Sequence, residues 1–85
     1  MVHFNRLVSE QMVTMEKLLH LQAELEHCQQ IEVELQTLQD ATDLESIQTD
    51  IQLMRKELKE IQLIFERQTE KVINSYREMN LSSSF

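Results

Sequence analysis

The sequence predicts an all-α protein, and three observations lead to that fold class. The 85 residues contain no glycine and no proline, which the turns of a small β or mixed fold normally need. Apolar residues recur at spacings of three and four, and alternation at period two is missing. With 41% hydrophobic and 27% charged residues, the chain is too apolar for plain disorder. We therefore expect one coiled-coil helical module over residues 1–85.

The first helix is predicted for about residues 3–39. An apolar stripe begins at Phe4 and repeats at heptad spacing, which is typical of a helix that packs against one neighbour. We expect these side chains to form the first half of a seam, meaning two facing stripes between two helices. The central members of the first stripe are Leu18, Leu21, Leu25, Cys28, Ile31 and Leu35.

A turn is predicted at about residues 40–43, because the stripes before and after it are out of phase. Continuing the heptad from Cys28 misses the second stripe by two residues, which rotates it by about 200° around one straight helix. Thr42 and Glu45 have the spacing of a capping box that would begin a second helix. The absence of a glycine for the end of the first helix favours an alternative, a continuous helix of about 120 Å that pairs antiparallel as a spacer.

The second helix is predicted for about residues 43–80, followed by a frayed tail at 81–85. Its stripe has the same spacing, and Gln68 inside it is expected to fix the register. The central members of the second stripe are Ile47, Ile51, Met54, Leu58, Ile61 and Phe65.

An antiparallel hairpin accounts for both stripes. Facing residues in such a hairpin have numbers with a constant sum, and Leu35 with Ile47 and Leu25 with Leu58 fit sums of 82 and 83. Residues 1–50 carry a net charge of −8 and the remainder +1, so antiparallel pairing lays the acidic half against the other half. Exposed pairs of opposite charge contribute a few tenths of a kcal/mol each, so they favour the antiparallel orientation of the two helices.

Further apolar residues predict that the hairpin has a partner. A second stripe on the first helix, together with apolar residues on the second, calls for at least a third helix. We expect assembly into a four-helix bundle, with the chain itself as a homodimer or higher oligomer, or with other helical proteins. The candidate partner interface is Val8, Met12, Met15, Leu19, Ile64 and Ile73.

No catalytic, cofactor or metal site is predicted. The motifs for phosphate binding, zinc hydrolysis and nucleophilic catalysis are missing from the sequence. His20, Glu24 and His27 lie along one helix at spacings of four and three, but the heptad places His27 outside the seam. Cys28 occupies a seam position, which favours a buried thiol.

These features predict a non-enzymatic protein–protein association module, a scaffold segment of an intracellular complex. The net charge of −7 argues against nucleic-acid binding, and no apolar run is long enough for a membrane span. The single cysteine favours a reducing, cytoplasmic location. An alternative of a different class is a membrane-surface amphipathic helix at residues 1–21, which the scarcity of lysine and arginine there disfavours.

Overall fold

The fold is an extended antiparallel hairpin of two long helices. A computed structural model describes residues 2–83 of the chain, with side chains through residue 80. Helix α1 spans Val2–Leu38 and helix α2 spans Ala41–Ser83. Together they measure 69 by 14 by 14 Å. The all-helical hairpin is thereby confirmed, and the continuous helix is not the fold of the described residues.

The helix bounds differ from the predicted ones by one to three residues. Helix α1 begins and ends one residue earlier than predicted. Helix α2 begins at Ala41 instead of about 43 and continues to Ser83 instead of ending near 80. Helix α2 therefore includes residues 81–83 of the predicted tail, whose fraying stays a prediction, while residues 84 and 85 lie outside the described part of the chain.

The chain reverses at Gln39 without a glycine. Gln39 adopts a left-handed backbone conformation with φ of 59°. Its N–H donates to the Gln36 carbonyl at 3.2 Å, and the Asp40 N–H donates to the Leu35 carbonyl at 3.1 Å. These two bonds are the Schellman motif, which satisfies carbonyls at the end of a helix. A residue with a Cβ in this conformation costs about 1–2 kcal/mol relative to right-handed backbone.

Helix α2 is capped by Asp40, so the predicted Thr42–Glu45 capping box is wrong. The Asp43 N–H donates to Asp40 Oδ1 at 3.1 Å. The Leu44 N–H donates to the Asp40 carbonyl at 3.0 Å, which is the first bond of the new helix. The reversal at the preceding residue leaves Asp40 as the N-cap, and it places Thr42 and Glu45 inside the first turns. The negative charge of Asp40 and a hydrogen bond with its side chain raise the pKa of Asp43 above its usual 3.8.

The seam between the helices is the core of the hairpin. Ile51 is the most enclosed of the described side chains, with 2% exposed, and Leu21 is 6% exposed. Leu7 is also buried, near the opposite end of the hairpin. The structure places the twelve seam residues named from the sequence at buried or half-buried positions.

Candidate helix-association face

The inside of the hairpin changes character along its length. We call residues 20–62 the turn half, and residues 2–19 with 63–80 the open half. The seam of the turn half is made of aliphatic and sulfur-containing side chains, including Leu21 and Ile51. In the open half the seam also buries Thr14 and Ser75. The interior of the open half is therefore the more polar of the two.

Gln11 forms two hydrogen bonds that cross the seam in the open half. Its Nε2 donates to the Phe65 carbonyl at 3.3 Å and also to Thr69 Oγ1. Thr69 Oγ1 in turn donates to the Phe65 carbonyl at 3.0 Å, one turn back along its own helix. The Thr14 hydroxyl bonds within α1, to the Glu10 carbonyl at 3.2 Å. Most of the polar groups buried here are thus satisfied.

Gln68 is the exception. Its Oε1 is buried and has no hydrogen-bond partner among the described residues. A buried polar atom left in that state costs about 1–3 kcal/mol. The seam of the open half therefore contains a destabilising polar group. Seven residues earlier, at the same heptad position in the turn half, the seam contains the aliphatic Ile61.

Two different faces flank the seam, and direct contacts identify them. On one face, the Phe4 ring lies against the Tyr76 ring, with centroids 6.3 Å apart and planes at 47°. The bond from Gln11 to Thr69 is on the same face, because Thr69 and Tyr76 are seven residues apart. The other face contains a groove, called the charged groove below, that is lined mainly by charged and polar side chains. Its lining includes His3, Arg6, Glu10, Lys71, Asn74 and Glu78.

The first face has an apolar surface near the open end. Val8 and Met15 lie four residues after Phe4 and Gln11, so they are on the same edge of α1. Ile73 lies between Thr69 and Tyr76 on the matching edge of α2. We call this surface the open-end face. Its residues are Val8, Met12, Met15, Leu19, Ile73 and Tyr76.

The open-end face is exposed to solvent in the hairpin. Met12 and Leu19 are each 60% exposed, and Met15, Ile73 and Tyr76 are also exposed. Val8 is half-buried at the edge of the seam. Five of the six residues predicted for the partner interface therefore share one surface.

Ile64 is the sixth predicted residue, and the geometry separates it from the others. It is exposed, but it lies seven residues before Lys71, which lines the charged groove. Ile64 therefore lies on the opposite side of the hairpin from Met12 and Leu19. Tyr76 takes its place on the open-end face. The available signal was the spacing of Tyr76 from Thr69 and Ile73.

The charged groove brings together opposite charges from the two helices. Glu10 and Lys71 both line it, at the same level of the two helices. Arg6 also pairs with Glu10 along α1, at 3.8 Å between Nε and Oε1. This side of the hairpin is therefore charged and well solvated, in contrast to the open-end face.

Among the residues considered for metal binding, His20 and Glu24 form a surface contact. His20 Nε2 lies 3.0 Å from Glu24 Oε1, and both side chains are exposed. Within residues 2–83, no group of three histidine, cysteine or acidic side chains is arranged to hold a metal ion. Cys28 is a free, half-buried thiol in the turn half.

Neither α1 nor α2 contains, within its described residues, an apolar segment sufficient to span a lipid bilayer.

Comparisons with known proteins identify the family. Residues 3–79 match the family described as YgaB-like protein. The chain is 53% identical over 85 residues to a Bacillus subtilis (strain 168) protein named Uncharacterized protein YgaB, and the alignment covers all of this chain and 75% of that relative. No solved structure matches the chain significantly. The chain belongs to the YgaB-like family.

Proposed function

We propose that the chain is a non-enzymatic protein–protein association module. The hairpin supplies two helices of a four-helix bundle and thereby serves as a scaffold segment of an intracellular complex. The observation that carries this proposal is the open-end face, where apolar residues such as Met12 and Leu19 are exposed beside a partly polar interior.

The surface area of the hairpin supports the proposal. Its accessible surface is 6787 Å². A compact monomer of 10.2 kDa exposes about 5,300 Å². The excess of about 1,500 Å² per chain is larger than the roughly 800 Å² that each partner loses in a standard-size protein–protein interface.

Burial of the apolar residues on the open-end face provides a favourable free energy for association. Burial of apolar surface contributes about 25 cal/mol per Å², so four such side chains contribute several kcal/mol before the costs of association. Contiguous apolar patches on soluble domains commonly mark interaction sites. The charged groove on the other side disfavours association there, because its charges would lose their hydration.

A photo-crosslinking experiment tests this function in the cells that make the protein. Benzophenone amino acids are placed at Met12, on the open-end face, and at Val13. Val13 is a matched control, because it is also apolar and exposed but follows Met12 by about 100° around the helix. We expect covalent protein adducts from position 12 and far fewer from position 13. Equal yields from both positions, adducts only with lipid, or no adducts would contradict the proposal.

A further inference from the structure

We propose that the occupant of the open-end face is a second copy of this chain. The two hairpins pack face to face along their full length, with both turns at the same end. This inference rests on the proposed function and deepens it by naming the partner and its orientation.

The dimensions of the hairpin favour contact along its full length. One long face of a body 69 by 14 Å has a footprint of about 970 Å², so full overlap of two copies would cover about 1,900 Å² in total, within the 1,200–2,000 Å² of stable interfaces. Overlap of the open halves alone buries about half of that area, which falls below the range. A stable dimer therefore also needs the same face of the turn half.

Two-fold symmetry determines which helices meet. A two-fold axis parallel to the hairpin places α1 of one copy over α2 of the other, and these helices are antiparallel. Residues at the same level of α1 and α2 then meet between copies. The contacts of Phe4 with Tyr76 and of Gln11 with Thr69 define those levels. Met12 of one copy accordingly lies close to Thr69 of the other, between the levels of Glu66 and Ile73.

Charge in the turn half is complementary in this arrangement. Glu26 follows Met12 and Leu19 at seven-residue spacing, so it lies on the same edge of α1. On α2, Arg55 and Lys59 precede Thr69 and Ile73 by fourteen residues each and lie on the matching edges. Glu26 of each copy therefore meets Arg55 and Lys59 of the other copy. Two such clusters form in every dimer.

Within one hairpin these charges are unpaired. The ion pairs among the described residues are Arg6 with Glu10 and His20 with Glu24. Glu26 and Lys59 are exposed. The other exposed residues on this face of the turn half include uncharged side chains that can hydrogen-bond across the interface, namely Gln22, Gln36, Gln52 and Gln62. Two acids, Glu45 and Glu66, precede Ile73 by 28 and seven residues, so they lie on the same edge of α2 and oppose the association.

Sedimentation equilibrium and small-angle scattering of the purified chain test the assembly. We expect a mass of twice 10.2 kDa and a maximum dimension close to the 69 Å of one hairpin. A dimer joined only by the open halves would be longer by about half, because the turn halves would extend in opposite directions. That elongated shape, or a monomer at every concentration, would overturn the inference.

A charge exchange tests the pairing of residues. Glu26→Lys and Lys59→Glu each place like charges together twice in a homodimer, so each is expected to weaken the dimer about tenfold. Mixing the two variants restores both attractive pairs in a heterodimer, which should form in preference to either homodimer. Glu34→Lys is the control, because Glu34 lies on the other side of α1 and should leave the dimer unchanged. Failure of the mixture to regain affinity would exclude this orientation.

Paired substitutions separate this inference from the proposed function. Met12→Glu with Leu19→Glu should give a monomer with its helicity retained, while Val13→Glu with His20→Glu should still dimerise. If the unmodified chain is monomeric and the crosslinker at position 12 captures a different protein, the second copy is excluded and the association function remains. If the crosslinker at position 12 captures no protein, both the second copy and the association function are excluded. Co-flotation of the chain with anionic vesicles through this face would indicate the membrane-surface alternative instead.

Discussion

The turn half and the open half of the hairpin distribute polarity in opposite ways. The turn half has an aliphatic seam around Ile51 and Leu21. Its surface on the same side of the hairpin as the open-end face is rich in glutamine. The open half buries Thr14, Ser75 and the side-chain oxygen of Gln68, while its surface exposes a cluster of apolar residues. The difference indicates that the turn half holds the hairpin together and that the open half is adapted to a further partner.

Truncation of one core residue in each half should give the largest difference. Ile51→Ala removes an aliphatic side chain that is almost fully enclosed, so we expect a loss of about 2–4 kcal/mol in the free energy of unfolding. Leu7→Ala, in the open half, should cost less, about 1–2 kcal/mol, because Leu7 lines the charged groove together with Ser75, where water can enter the space left by the removed side chain.

Urea denaturation followed by circular dichroism measures both values. Each truncation is made in a chain that also carries Met12→Glu and Leu19→Glu. That chain is expected to be monomeric, so dimer dissociation does not contribute to the unfolding transition. Equal losses from Ile51→Ala and Leu7→Ala would show that the two halves are equally important to the stability of the hairpin.

Gln68→Leu should stabilise the open half. The substitution removes a buried oxygen without a partner and adds apolar packing in the seam, so we expect the free energy of unfolding to rise by about 1–2 kcal/mol. Gln30→Leu is the matched control, since Gln30 is exposed and its replacement should change stability by less than about 0.5 kcal/mol. A destabilised Gln68→Leu variant would mean that Gln68 forms a hydrogen bond in solution that the seam of this hairpin does not show.

Gln39→Gly should give a smaller gain at the turn. Glycine adopts the left-handed conformation of this position freely, so we expect about 1 kcal/mol of additional stability. Gln36→Gly, three residues earlier in the last turn of α1, should instead lose up to about 1 kcal/mol. The midpoint of thermal unfolding should rise for Gln39→Gly and fall for Gln36→Gly. A fall for both variants would indicate that Gln39 is an ordinary helical residue.

The sequence predicts the seam well because helical periodicity acts directly on burial. Leu21 and Ile51 recur at the spacing that places them between two helices, and both are buried. The turn was predicted in the right region for a different reason, the phase change between the stripes. Its details were not predictable from residue types, because nothing about Gln39 signals a positive φ and two acceptable N-caps, Asp40 and Thr42, lie two residues apart.

The candidate face was only partly predictable. Spacing along one helix groups Val8 with Met12 correctly, because both lie on α1. Whether Ile64 or Tyr76 belongs with them depends on the register between the helices, and periodicity within each helix does not determine it. The contact of Phe4 with Tyr76 supplies that register.

The position of Tyr76 has a spectroscopic consequence. The chain contains one tyrosine, one cysteine and no tryptophan. Tyrosine emission therefore originates at the end of the hairpin where the Phe4 and Tyr76 rings touch, whereas a dye on Cys28 reports from the aliphatic segment nearer the reversal. Separation of the helix ends changes the first signal alone, so fraying and global unfolding of this small protein can be followed independently in a single cuvette.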